Sequence, residues 1–143
     1  MADHISQSPL AEGLIRIGES AIASEDDAAL TAYFAPGYVL HLPGGDIGFD
    51  ALKVYFAALR AAFPDLRVKR AIILGEGRYL AARTIFSGTF TRRLTQSSAG
   101  AIEPTGRFVE WEVMNIFRYD DKSHLAEEWV QNDSKVLLQK LTA

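Results

Sequence analysis

The stretch Glu127-Glu128-Trp129-Val130-Gln131-Asn132-Asp133 runs directly into Ser134-Lys135-Val136-Leu137-Leu138-Gln139-Lys140-Leu141. Its first part reads as a strand, and strand side chains alternate between two faces with period two. Counted that way, Trp129, Gln131 and Asp133 share a face that carries an indole, an amide and a carboxylate. Such a mixture suits a pocket wall better than a dry core. The second part has an apolar helical rhythm, so Asp133 stands where the last strand passes into the last helix. Two roles are open to it there. It can point into a cavity as an acid, or it can cap the helix, which Asn132 and Ser134 can do as well.

The strands before this stretch read as hairpins. Residues 66–74 and 78–90 are joined by Gly75-Glu76-Gly77, and residues 107–119 and 125–132 by Asp120-Asp121-Lys122-Ser123. Between the hairpins, residues 91–106 include Gln96-Ser97-Ser98-Ala99-Gly100 and read as a long loop of the kind that forms lids or binding loops. Helices come earlier. Ser8-Pro9 starts one that carries Leu10, Leu14, Ile17 and Ala21 at helical spacing. Ser24-Glu25-Asp26-Asp27 caps a short second helix with Leu30, Tyr33 and Phe34, ended by Pro36-Gly37. Residues 38–42 form a short strand stopped by Pro43-Gly44-Gly45, and Gly44 to Gly48 read as a turn. Residues 49–63 form the clearest helix, with Asp50 as cap, Leu52, Phe56, Leu59 and Phe63 on one stripe, and Pro64-Asp65 as its stop. Helices first and long strands afterwards predict an α+β fold. Its N-terminal helices close a cone-shaped, strongly curved, mostly antiparallel sheet around an apolar pocket. Residues 1–143 make a single domain, with 1–8 expected to be flexible.

Composition narrows the function. The chain has 143 residues, 48% hydrophobic and 23% charged, with a net charge of −3, so no general attraction to nucleic acid or anionic membrane is expected. It has no cysteine, which excludes disulfides, thiol nucleophiles and thiolate metal sites. Neither a signal peptide nor a spanning segment is read, and the expected compartment is the cytoplasm. The three histidines lack ligand spacing, so no metal is expected. Lys69-Arg70 and Arg92-Arg93 read as solvated charge pairs.

A longer pattern then emerges. Ala61-Ala62-Phe63-Pro64-Asp65-Leu66-Arg67-Val68, Gly75-Glu76-Gly77 and Gly88-Thr89-Phe90 follow one another in order. After them come Pro104-Thr105-Gly106-Arg107-Phe108-Val109-Glu110-Trp111, then Glu127-Glu128-Trp129 through Asp133 to Leu141. Together these resemble the SnoaL-like polyketide cyclase family of the nuclear-transport-factor-2-like superfamily. The resemblance implies a cone-shaped barrel, a homodimer formed through the outer sheet face, and an apolar cavity for a small apolar organic ligand. It also implies cofactor-independent ring closure of a polyketide-like carbonyl compound by intramolecular aldol chemistry, with Asp133 matching the family's acid/base aspartate. Where family cyclases tend to place a histidine or other polar group on the strand 114–119, this chain has Asn115 and Phe117.

The residues support that chemistry on their own terms. A carbon acid flanked by carbonyls needs a base within hydrogen-bond reach and a donor for the enolate oxygen. Asp133 beside Trp129 would be a carboxylate made more basic by burial. His41, Asn115, Gln131 and Tyr38 are the candidate donors, and Trp111, Phe117 and Phe56 the apolar lining. The alternative function is a non-catalytic small-molecule-binding or accessory protein of the same fold. The discriminating feature is how many polar groups converge with the acid. An epoxide-opening hydrolase built on Arg83 and Asp133 ranks third, because no second acid is evident.

Overall fold

The computed structural model describes residues 3–97 and 99–143. Ser8 accepts a hydrogen bond from the Leu10 N–H and caps α1 (Pro9–Ile17), with Pro9 in the first turn. The helical stripe continues past α1 as a π-helical turn, Gly18–Ile22. Gly18 lets this turn lie close on the sheet: a Cβ there would meet Val68 Cγ1 at 3.2 Å and Arg70 Nε at 3.6 Å. Asp26 caps α2 (Asp27–Tyr33) through the Ala29 N–H.

That helix stops at Tyr33, before Pro36-Gly37. The chain extends at once into β2 (Phe34–Leu42), with a register irregularity between Phe34 and Val39 that accommodates the proline. The glycine cluster after it makes a turn and then β3 (Gly45–Gly48). α3 (Phe49–Ala62) has Gly48 rather than Asp50 at its N-cap. Asp50 lies instead in the first turn, where a negative charge is favoured.

β4 (Arg67–Glu76), β5 (Tyr79–Thr89), β6 (Phe108–Tyr119) and β7 (Leu125–Gln131) form an antiparallel meander. The sheet order is β1-β4-β5-β6-β7-β2-β3, where β1 (His4–Ile5) lies parallel to the edge of β4. β2 joins β7 in parallel and carries β3 with it as a hairpin. The sheet is therefore mixed and not closed, and α4 (Ser134–Thr142) follows β7.

β6 shows how the faces are divided. Val109, Trp111, Val113, Asn115, Phe117 and Tyr119 are buried, whereas Phe108, Met114 and Ile116 between them are exposed. Two buried clusters stand on the inner face. One joins α1 and α2 to Phe34, Phe117, Tyr119 and Leu125, and the other joins the end of α3 to Phe90, Trp111 and Leu141. Between them the inner face is hollow.

Candidate functional site

The hollow is a cavity of about 630 Å³, lined by members of both clusters. Leu94 and Ile102, bridged to each other across the 91–106 loop, complete one wall, and Leu137, Leu138 and Leu141 of α4 another. Ser98, which belongs to the sequence expected to form that loop, lies outside the described residues.

Most of the lining is apolar, but one wall carries a polar chain. Arg70 Nη1 donates to Thr84 Oγ1 at 2.7 Å, and the Thr84 hydroxyl donates to Asn115 Oδ1 at 2.7 Å. Asn115 Nδ2 donates to Glu128 Oε2 at 3.1 Å, while the Tyr38 hydroxyl donates to Glu128 Oε1 at 2.8 Å. Arg70, Thr84, Asn115 and Glu128 are 8%, 0%, 6% and 8% exposed, and Arg70, Asn115 and Glu128 line the cavity. Next to them the hydroxyls of Tyr33 and Tyr119 are hydrogen-bonded to each other.

The direction of this chain follows from its ends. Guanidinium can only donate and an ionised carboxylate can only accept, so each group between them is oriented one way. Burial pushes the Glu128 carboxyl above the ordinary carboxylate range, while the Tyr38 hydroxyl, the Arg70 charge and the Asn115 amide hold it back. Burial likewise pushes the Tyr33 hydroxyl up to about 12 and lowers Arg70. The wall thus holds a buried acid made more basic than usual, with donors beside it.

The profile of the SnoaL-like polyketide cyclase family matches residues 14–141. The chain belongs to this family. Solved structures share the fold at low identity. A candidate SnoaL-like polyketide cyclase from Jannaschia sp. CCS1 is 17% identical with a TM-score of 0.80, covering 96% of this chain and 97% of that one. IdmH, a candidate polyketide cyclase from Streptomyces antibioticus, is 24% identical with a TM-score of 0.76, covering 93% and 98%. AclR, a candidate hydroxylase from Streptomyces galilaeus, is 20% identical with a TM-score of 0.77, covering 95% and 82%. No curated protein matches. No helix among the described residues is long and apolar enough to cross a membrane.

In this SnoaL-like protein the structure divides the residues singled out from the sequence. Asn115, Phe117, Trp111 and Phe56 line the cavity, with Trp111 stacked on Phe86 at 5.5 Å. Tyr38 is buried behind Glu128 rather than on the lining. Asp133 is not in the cavity wall. It is exposed, and its Oδ1 accepts the Val136 N–H at 3.0 Å as the cap of α4. Gln131 is exposed on the opposite face from Val130. Trp129 stacks on His41 at 5.2 Å.

His41 is outside the cavity too, with Nδ1 at 2.8 Å from Asp46 and Nε2 at 2.6 Å from Glu127. Arg83 pairs with Glu112 at 2.6 Å and does not line the cavity, so the arginine–aspartate pair of the hydrolase reading is not assembled.

One extra residue explains the displacements of Trp129, Gln131 and Asp133. Tyr119 pairs with Leu125 but Arg118 pairs with Glu127, so Ala126 forms a bulge and the alternation changes phase there. From that point Glu128, Val130 and Asn132 face inward, and Glu127, Trp129 and Gln131 face out. Arg70 is the other correction. It shares the inner face with Val68, while Lys69 points outward to Asp3, so this charge pair is not a solvated face. The period of β4 carried that signal, because Val68 and Arg70 are two residues apart.

The outer His41 cluster has a measurable consequence. The hydrogen bonds that the His41 ring donates to Glu127 and then to Asp46 raise its pKa above the ordinary value. The charged ring is therefore favoured in the folded state. Its contribution to stability is complete below the unfolded value near 6.5 and is lost as pH rises through the raised folded one. An NMR titration is expected to place His41 above 6.5 in the wild type and closer to that value in Glu127→Gln.

Proposed function

We propose that this chain is a cofactor-independent cyclase whose acid/base group is Glu128, acting on a polyketide-like or similar small apolar carbonyl compound. The observation that supports this most is the meeting of a buried carboxylate, Asn115 and Tyr33 on one wall of an otherwise apolar cavity. Glu128 takes a proton from the carbon between two carbonyls. The second amide hydrogen of Asn115 and the Tyr33 hydroxyl face the enolate oxygen. The enolate carbon then forms the new C–C bond at a second carbonyl, and the alkoxide takes the proton back from Glu128. Nothing is oxidised and nothing is consumed.

Turnover by Glu128→Gln, set beside Asp133→Asn, tests the reading. Mass-neutral ring closure of an aromatic polyketone ester, followed by chromatography, is the readout. Equal turnover by the Glu128 variant and the wild type would remove Glu128 as the acid/base group, whereas no ring closure by the wild type would favour the non-catalytic binding protein instead.

Assembly as a homodimer is part of the same proposal. Met114 and Ile116 of β6 are 55% and 47% exposed on the outer sheet face, between the Arg83–Glu112 and Arg118–Glu127 pairs. A two-fold axis there would place an apolar strip against its copy and bring charges of both signs together. Light scattering is expected to give twice the chain mass for the wild type and the single-chain mass for Met114→Lys/Ile116→Lys. A wild-type monomer would refute the dimer.

A further inference from the structure

We propose that the molecule taken into the cavity is an apolar organic anion, with a carboxylate or other anionic oxygen held by Arg70. This deepens the preceding proposal and rests on its assignment of the cavity as the substrate site.

Arg70 is 8% exposed and lines the cavity. A guanidinium carries five N–H donors, yet among the described residues only Nη1 has an acceptor, Thr84 Oγ1. Its Nε is buried with no partner. No carboxylate among the described residues lies within ion-pair distance of it, although the less buried arginines Arg83 and Arg93 have such partners. Glu128, the one buried acid of this wall, directs its two oxygens to Tyr38 and Asn115. The hydrogen-bonded path from the cation to this carboxylate therefore runs through two intermediates, Thr84 and Asn115. The cation's remaining support is the Phe117 ring, 5.5 Å from Cζ, which stabilises a positive charge but accepts no hydrogen bond in the guanidinium plane.

An arginine buried this deeply with donors unfilled is costly unless something completes it. The planar fork matches a carboxylate, or two adjacent oxygens of an ionised β-dicarbonyl, better than it matches a single ester oxygen. The rest of the cavity is aliphatic and aromatic, and about 630 Å³ leaves room for a multi-ring body behind the anionic end. An oxygen anchored on Arg70 would also place the neighbouring carbon along the same wall as Glu128.

Isothermal titration of the full chain with naphthalene carboxylate and with its methyl ester tests this. The wild type is expected to bind the carboxylate about tenfold more tightly or better. In Arg70→Gln that preference should collapse to near one, with ester affinity kept within about threefold. Glu128→Gln should strengthen the preference, because a buried negative charge is removed. Should Arg70→Gln not fold, Arg70→Lys carries the test, since it keeps the charge but not the fork and should give an intermediate ratio. Equal binding of the two compounds by the wild type, tighter binding of the ester, or binding of neither overturns the proposal. So does a preference unchanged in the Arg70 variants. The two proposals fail separately. Glu128→Gln that turns over normally removes the acid/base role and leaves the anion preference standing. A lost preference leaves the role of Glu128 untouched.

Discussion

Glu128→Gln is expected to lower kcat by about 10²–10⁴-fold, the range over which a positioned general acid/base contributes. The substitution keeps the shape of the side chain and removes its basicity. The new amide can still accept from Tyr38, but its nitrogen would face the Asn115 amide across what is now a 3.1 Å donor–acceptor contact. The chain can adapt by turning Asn115 over, because Thr84 Oγ1 has a second lone pair with which to accept. The protein should therefore fold, with melting temperature as the control. Glu128→Asp keeps the charge and withdraws it by one methylene, and a misplacement of about 1 Å can cost about 10²-fold. Asp133→Asn, by contrast, should stay within a few-fold of wild type, since asparagine caps α4 nearly as well as aspartate. Steady-state kinetics on the three variants decides the matter. A large loss in Asp133→Asn alone would return the acid to the strand end.

The second large effect concerns stability. Phe63→Ala is expected to cost about 3–5 kcal/mol. Phe63 is 0% exposed and closes α3, with its ring 5.2 Å from Phe90 and 5.3 Å from Trp111. The backbone around it is fastened on both sides. Asp65 accepts from the Thr89 N–H at 2.7 Å and from the Thr89 hydroxyl at 2.8 Å, so the helix stop is pinned to β5. Gly88 leaves the room this requires, because a Cβ there would meet Phe63 Cβ at 3.0 Å. With its surroundings held in this way, the pocket left by alanine has little freedom to collapse, which puts the loss at the upper part of the range. Thermal unfolding should drop by roughly 10–15 °C for a domain of this size. A drop of only a few degrees would mean that α3 repacks.

These same residues show what the sequence made legible. Phe63-Pro64-Asp65 announced a helix stop, and Ser8, Asp26 and Asp133 are each a real cap, since capping depends on neighbours in the chain. The α+β class and the SnoaL-like family were legible too, because hydrophobic periods and motif order are properties of long stretches. Asn115, Phe117, Trp111 and Phe56, named from the sequence as a donor and as apolar lining, do line the cavity, and β6 and α3 carry them there on unbroken periods. The inward-facing acid was missed. Which of Glu127 and Glu128 faces inward depends on the bulge at Ala126, and a bulge is fixed by the partner strand rather than by local composition. Arg70 was missed for another reason. An arginine beside a lysine is normally solvated, and the acceptor that receives it inside, Thr84, itself held by Asn115, comes from other strands.

The parallel junction between β2 and β7 has a consequence for how the protein is made. Tyr38 and Glu128, which share a hydrogen bond, stand 90 positions apart along the chain, and β3 through β6 are all synthesised in the interval. On a ribosome adding about 5–20 residues per second, the β2–β3 hairpin must wait several seconds for its neighbour to emerge. Throughout that wait Phe34, Tyr38 and Leu40 lack the surface that later covers them. The acid wall is therefore among the last parts of the molecule to exist.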